Sequence, residues 1–345
     1  MRRLAVALTA LALMLAACSS SATRARGSGD VLRLGVFPNL THAPALVGIA
    51  DGIFTRDLAP TTVDVTSFVS GSQAGQAIEA GSIDAAYIGP VPAASLLEKG
   101  SDVRIVSGTV QGGASLVVRT GSGIASPSDL QGRTVAVPSL GNTQDIALRT
   151  WLHHRGMKAR DEGGDVNIVP IDNAVILQAF QQKQVDAAWE PEPYPSLLQS
   201  KGLATEFVNE RTLWPNGRFP TTELLVTGAY ADAHPDVVKR LVQANFDAVQ
   251  FVRTNEDRAK ELATRELGML GAPALSPSAL DRAWSQLTFS FDPLPAAMET
   301  DAVNAWRLGD FDTKPDNLSR IFALRDLNAL LSSKGMPTVS ARGAP

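Results

Sequence analysis

The chain has 345 residues, 44% of them hydrophobic, and a formal charge of −4 at pH 7. That apolar content excludes a disordered chain, and the length exceeds the usual size of one compact core, so two lobes of ordinary domain size are expected. No run of lysine and arginine with interleaved aromatics occurs, so the sequence offers no basic field for a polyanion and argues against nucleic acid as a partner.

In chain order, Arg2 and Arg3 precede an apolar run over residues 4–15, and then Ala16 and Ala17 precede Cys18. Basic, apolar and small residues in that order make an export signal. The run falls short of the roughly 20 residues a membrane span needs, and no later segment could span a bilayer. Residues 1–17 therefore read as a signal peptide and 18–30 as a small, polar, flexible tether. Leu15-Ala-Ala-Cys18 resembles the lipobox of bacterial lipoproteins, which implies a lipidated Cys18 anchoring the chain to the membrane without spanning it. Cys18 is the only cysteine, so neither a disulfide nor a thiolate metal cluster can form within one chain.

The mature body begins with a strand from Leu32, the loop Asn39-Leu-Thr-His42, a strand over Val63-Asp-Val-Thr-Ser-Phe68 and a helix start at Ser70-Gly-Ser-Gln73. Gln76-Ala-Ile-Glu-Ala-Gly-Ser-Ile-Asp-Ala-Ala-Tyr-Ile-Gly-Pro90 then reads as a helix end, a turn, a short strand and a Pro-containing loop. The pattern recurs as Gln178-Ala-Phe-Gln-Gln-Lys-Gln-Val-Asp-Ala-Ala-Trp-Glu-Pro191, and Thr41 and Thr143 sit at the same spacing. Between the second pair of landmarks, Val166-Asn-Ile-Val-Pro-Ile171 supplies a strand and Asp172-Asn173 a helix start. Each half reads as β-α-β-α-β, and two matching halves suggest a cleft between them.

Two extended connections, one after Ala114 and one after Thr222, are expected to form the hinge. They place residues 31–118 and 223–345 in one lobe and 119–222 in the other. From Pro235 the pattern turns helical, with Val237, Val238, Leu241, Val242, Phe246 and Val249 on one face, expected to pack on the first lobe.

No G-x-S-x-G elbow occurs, and the four histidines His42, His153, His154 and His234 have no catalytic or zinc spacing, so no enzyme chemistry is assigned. Gly121-Ser-Gly123 lacks the third glycine of a dinucleotide fingerprint, and neither cofactor nor metal is expected. The chain does offer strand-to-helix loops rich in hydroxyl, amide and glycine groups: Asn39-Leu-Thr-His42, Ser70-Gly-Ser72, Gln111-Gly-Gly113 and Gly141-Asn-Thr143. Each is a common capping sequence as well as a candidate ligand contact. At helix N-termini, unpaired N–H groups and the helix dipole favour an anion such as a sulfonate without any lysine or arginine. Trp189-Glu-Pro-Glu-Pro-Tyr194 lies opposite Tyr87-Ile-Gly-Pro90. Trp189 could cover an apolar tail or pack in a core, and Glu190 or Glu192 could pair with an amine or be solvated.

The lipobox, Thr41-His-Ala-Pro44, Gly81-Ser-Ile-Asp-Ala-Ala-Tyr-Ile-Gly-Pro90, Leu140-Gly-Asn-Thr-Gln-Asp145 and Trp214-Pro-Asn-Gly217 together resemble the aliphatic sulfonate, nitrate and taurine group of ABC transporter substrate-binding proteins. The resemblance runs from about Leu32 to about Leu331. It implies a two-lobed, periplasmic-binding-protein-like (type II) α/β fold, a small-molecule ligand, an ABC permease and ATPase as partners, an extracytoplasmic location and a monomer. Carried over, it places Thr41, His42, Ser70, Gly71, Ser72, Gly89, Pro90, Asn142 and Thr143 at the cleft, with Trp189 and the acids after it. Gln111, Gly112 and Gly141 are expected there from their loops. Glu190 and Glu192 depart from the group's simpler Trp-Asp-Pro and Trp-x-Pro patterns. Two carboxylates disfavour a pure anion, and a zwitterion such as an aminosulfonate reconciles them. Nitrate and a pyrimidine-like vitamin precursor are the alternative ligands, the latter stacking on Trp189 or Tyr87, and a ligand sensor or an extracytoplasmic enzyme on the same fold is the alternative of another class.

Overall fold

The computed structural model describes residues 30–342, so the signal peptide, Cys18 and all but the last residue of the tether lie outside the described residues. Two sheets organise the chain. The first contains β1 (Val31–Val36), β2 (Thr62–Ser67), β3 (Ala85–Ile88), β4 (Val103–Gly112), β10 (Pro220–Thr227) and β11 (Leu287–Phe289), in the order β11-β4-β10-β3-β1-β2. The second contains β5 (Ala114–Arg119), β6 (Thr134–Val137), β7 (Asn167–Pro170), β8 (Ala187–Pro191) and β9 (Ala204–Asn209), in the order β7-β6-β8-β5-β9.

The echo in the sequence is an echo in pairing. β1 lies parallel between β2 and β3, as β6 lies parallel between β7 and β8. The Asp-Ala-Ala strands also share a register, with Gly35 beside Ala86 and Ala136 beside Ala188. Each parallel trio gains an antiparallel strand beside its third member, β10 beside β3 and β5 beside β8.

Those two antiparallel strands correct the expected boundaries. β5 pairs along its length with β8 and β9, so the first crossing falls at Gly113 and residues 114–118 belong to the second sheet. β10 pairs from Pro220 onward with β4, so the return occupies residues 210–219 instead of following Thr222. Gly112 and Gly113 have φ of +78° and +77°, a left-handed pair that turns the chain between sheets and that side chains with a Cβ rarely adopt. The crossings are tied together, because the Gly112 N–H donates to the Phe219 carbonyl at 3.0 Å and Thr221 Oγ1 donates to the Gly112 carbonyl.

Leu32, Leu34 and Val36 of β1 share one core with Val237, Val238, Leu241, Val242, Phe246 and Val249 of the helix Pro235–Thr254. That stripe covers one face of the first sheet. On the other face the helix Pro295–Arg307 buries Met298, Ala302 and Ala305 among Ile88, Val91 and Leu225, and Ile146 from the helix Thr143–His153 joins them. In the second lobe, Leu116, Val135, Val137, Trp151 and Trp189 fill one core, and Ala136, Phe180, Tyr194 and Leu198 the other.

Candidate ligand-binding cleft

Between the facing edges of the sheets lies a small cavity of about 30 Å³, roughly twice the space that one water requires. Matching loops build it from both sides. Asn39, Thr41 and His42 follow β1, Val69, Ser70 and Gly71 follow β2, and Gly89 follows β3. Opposite them, Pro138, Asn142, Thr143 and Gln144 follow β6, Asn173 follows β7 and Pro191 ends β8; Thr221 comes from β10 of the first sheet. Among the described residues, no lysine or arginine lines the cavity.

Polarity comes instead from helix N-termini. Ser70 caps the helix Gly71–Glu79 by accepting from the Gln73 N–H at 3.4 Å, and Asn142 caps Thr143–His153 by accepting from the Asp145 N–H at 2.9 Å. The first-turn N–H groups at Gly71, Ser72, Thr143 and Gln144 have no intrahelical acceptor and sit at the positive end of the macrodipole. Gly89 caps a third helix, Pro90–Glu98, in which Pro90 and Pro92 lack N–H groups, so Val91 supplies its early donor. Three positive helix ends converging without a cation make a cradle for an anion.

His42 adds a neutral donor. Its Nδ1 accepts from the Phe37 N–H at 3.3 Å, which leaves the proton on Nε2. Burial lowers its pKa to about 3, so the ring is uncharged at neutral pH. Thr41 Oγ1 donates to Asn39 Oδ1 at 2.6 Å.

Acceptors are left over on the side of the second lobe. Asn173 Oδ1 is buried without a partner, and both carboxylate oxygens of the fully buried Glu190, next to Pro191, have none. Burial drives the Glu190 pKa well above the ordinary carboxylate range, favouring the neutral form.

The lobes meet across the seam. The Leu40 N–H donates to the Glu192 carbonyl at 2.9 Å, and Tyr194 Oη donates to the Pro38 carbonyl at 2.9 Å. Ser72 Oγ and Ser139 Oγ lie 3.2 Å apart. These contacts define a closed cleft.

Thr41, His42, Ser70, Gly71, Gly89, Asn142 and Thr143 come together at the cavity. Ser72 and Gly141 line an adjoining space of about 210 Å³ with Leu140 and Asp310, and Pro90 is outside both linings, where Pro92 stands instead. Other expected residues are placed elsewhere. Trp189 is fully buried, edge-on to Trp151, with its Nε1–H donated to Glu210 at 2.8 Å, and Tyr87 is buried in the first lobe with its hydroxyl on Asn245. Alternation along each strand turns both rings into cores, so neither can stack on a ligand. Gln111 bonds the Asp292 carbonyl and Arg218, and Gly112 serves the crossing. Glu192 is buried against Ser196, whose N–H and Oγ donate to its carboxylate. Glu190 and Glu192 both lie outside the cavity lining.

Sequence reading missed Asn39, Gln144, Asn173 and Thr221. The first three lie in or beside the quoted capping segments, a signal that could have found them, whereas Thr221 carries no local mark. Among the described residues no group of three or more histidine, cysteine or acidic side chains could hold a metal, and no helix is long and apolar enough to cross a membrane.

A sequence model of the NMT1-like family matches residues 28–267. The taurine-binding periplasmic protein of Escherichia coli (strain K12) is 29% identical over 217 residues, covering 62% of this chain and 64% of that protein. A putative binding protein of Brucella abortus (strain 2308) is 29% identical over 206 residues, 59% of this chain and 61% of its own. The matched region thus spans less than two thirds of these relatives. Among solved structures, the alkanesulfonate-binding protein SsuA from Xanthomonas axonopodis pv. citri, bound to MOPS, superposes with a TM-score of 0.71 at 20% identity, covering 84% of this chain and 96% of that one. The periplasmic nitrate-binding protein NrtA from Synechocystis PCC 6803 gives 0.76 at 17% identity, covering 90% of each. These likenesses show the two-lobed periplasmic-binding-protein fold.

Proposed function

This chain belongs to the NMT1-like family, and from that premise we propose that it is the extracytoplasmic solute receptor of an ABC importer, binding a short aliphatic sulfonate of the taurine kind between its lobes. The observation that carries the reading is the convergence of three helix N-termini and the neutral His42 on a cavity that no lysine or arginine among the described residues lines. Such a site stabilises one diffuse negative charge through dipoles already oriented, at no cost of desolvating a counter-ion. Asn173 sharpens the ligand class: its buried amide oxygen, an acceptor without a partner, calls for a donor, and the ammonium of an aminosulfonate supplies one.

The receptor has no enzymatic role in this reading. Its partners are a permease and an ATPase, and acylation of Cys18 tethers it as a monomer to the outer face of the membrane. Likeness to the taurine-binding protein and to SsuA supports the ligand class, and likeness to NrtA supports a second one. Nitrate matches the small cavity, but it offers no donor to Asn173.

Thermal-shift measurements on residues 30–345 with taurine, ethanesulfonate, sulfate, nitrate and an aminopyrimidine test this, because a ligand that binds only the native state raises its melting temperature. Taurine is expected to stabilise most. A response to nitrate alone, or to the pyrimidine alone, would replace the sulfonate reading.

A further inference from the structure

Asn39, His42 and Gln144 each line the cavity with a side chain that could present either a donor or an acceptor, and all three are buried. The fold decides for each of them. The Asp145 N–H, a group that cannot reverse, donates to Asn142 Oδ1 at 2.9 Å, so the other end of the Asn142 amide is its NH2. That NH2 donates to Gln144 Oε1 at 3.1 Å, which leaves Nε2 as the open end of Gln144. A backbone N–H also fixes His42, because Phe37 donates to Nδ1 at 3.3 Å and the proton stays on Nε2. Asn39 accepts from the Thr41 hydroxyl through Oδ1 at 2.6 Å, so Nδ2 is its open end. Among the described residues, none bonds Gln144 Nε2, His42 Nε2 or Asn39 Nδ2.

In all three side chains the acceptor end is therefore tied to protein and the donor end is left for the cavity. Thr221 is closed as an extra donor, since its hydroxyl proton goes to the Gly112 carbonyl. The hydroxyls of Ser70 and Thr143 can turn, but each one turned to accept withdraws a donor. Asn173 is 7% exposed with Oδ1 unpartnered, and the ligand's ammonium takes that acceptor in the taurine reading. A ligand oxygen that carries a proton then meets N–H groups and strands its own buried donor. A sulfonate has three oxygens and no proton on any of them, whereas a phosphonate monoanion of similar shape and equal charge carries one P–OH.

We propose that this one-way arrangement is a filter that admits proton-free oxyanions and rejects isosteres bearing a hydroxyl hydrogen, with Asn142 the positioning residue that holds Gln144 as a donor. It rests on the reading that an oxyanion of the taurine kind occupies this cavity.

Taurine and aminoethylphosphonate measure the filter. At about pH 5, below the second ionisation of a phosphonyl group, both are zwitterions of equal charge that differ by the P–OH hydrogen. Titration calorimetry on the full chain is expected to show the phosphonate bound roughly five- to 150-fold more weakly, the cost of one stranded buried donor. Asn142→Ser separates the filter from selection by size, since serine still caps the helix but has no amide to hold Gln144. Once released, Gln144 can turn its carbonyl to the P–OH, so the preference for taurine should fall by roughly two- to tenfold. In a Gln144→Ala background the same substitution should leave the preference unmoved.

Equal affinity for the two ligands in the parent chain, or a preference that falls as far without Gln144 as with it, overturns the filter. Should Asn142→Ser fail to fold by its melting curve, Thr41→Val, which frees the Asn39 amide, is compared with Thr41→Ser, which keeps it tied, and an equal preference in these two overturns the filter in the same way. Silence from taurine with binding of nitrate removes the taurine reading alone. The filter is then read at about pH 8 from nitrate against bicarbonate, whose C–OH takes the place of the P–OH, and equal affinity there overturns it. Silence from every one of these anions overturns both.

Discussion

Thr143 Oγ1 lies 2.7 Å from the point that a Cβ on Gly89 would occupy, so the loop after β3 and the helix start after β6 touch through the absence of one side chain. Gly89 has φ −74° and ψ 160°, an extended conformation open to any residue, so its smallness serves the seam and not the backbone. Gly89→Ala is therefore expected to leave the unliganded melting temperature nearly unchanged while disfavouring closure. Overpacking costs about 1–3 kcal/mol, which at about 1.4 kcal/mol per decade corresponds to roughly five- to 150-fold weaker binding. Titration calorimetry with the best ligand of the thermal screen reads this directly. Unchanged affinity would mean that the cleft does not close on Thr143.

Trp189 is a core residue, and its substitution should read as one. Trp189→Ala is expected to cost about 3–5 kcal/mol of stability, and Trp189→Phe, which strands a buried acceptor on Glu210, about 1–3 kcal/mol. Affinity measured well below the lowered melting temperature should stay within a few-fold of the parent. A large loss of affinity in Trp189→Phe without a drop in stability would instead place the indole on the ligand.

The Tyr194 hydroxyl spans the seam to the Pro38 carbonyl, within a loop that also holds Leu40 against Glu192. Tyr194→Phe removes one neutral hydrogen bond formed on closing, worth about 0.5–1.5 kcal/mol. The expected result is roughly a two- to tenfold faster ligand release with little change in association, seen by stopped-flow fluorescence. A change confined to association would argue that Tyr194 acts before closure.

Stability should carry two opposed pH dependences. His42 has its pKa lowered to about 3 by burial, so below about pH 6.5 the unfolded chain binds a proton that the native ring refuses. Stability then falls as pH drops, by at most about 1.4 kcal/mol per unit. His42→Asn, whose amide oxygen can still accept from Phe37, should flatten that limb. Glu192 is raised to about 7, chiefly by burial, so the stability it confers in acid is lost as pH rises through 7, and Glu192→Gln should flatten the upper limb. Melting temperatures from pH 4 to 8 separate the two, and an unaltered profile in either variant would remove that residue from the account.

Much of the cavity was legible because helix starts are written locally. Ser70 and Asn142 each accept from an N–H three residues ahead, an arrangement that depends on adjacent residues alone, and so the loops that carry Thr41, Ser70, Gly89 and Thr143 could be found without knowing how they meet. Trp189 was ambiguous for a reason of parity. A strand sends alternate residues to opposite faces, and the sequence does not state which face meets the neighbouring lobe.

By itself the sequence determined the repeated β-α-β-α-β unit, the two-lobed class and the placement of capping residues at strand ends, because hydrophobic period, caps and turns act over a few residues. Tertiary structure alone decided that β5 joins the second sheet and β10 the first, and that Thr221 reaches the cavity from the returning chain. Those outcomes depend on pairings between residues far apart in the chain, whose energies appear only once both partners have been removed from water.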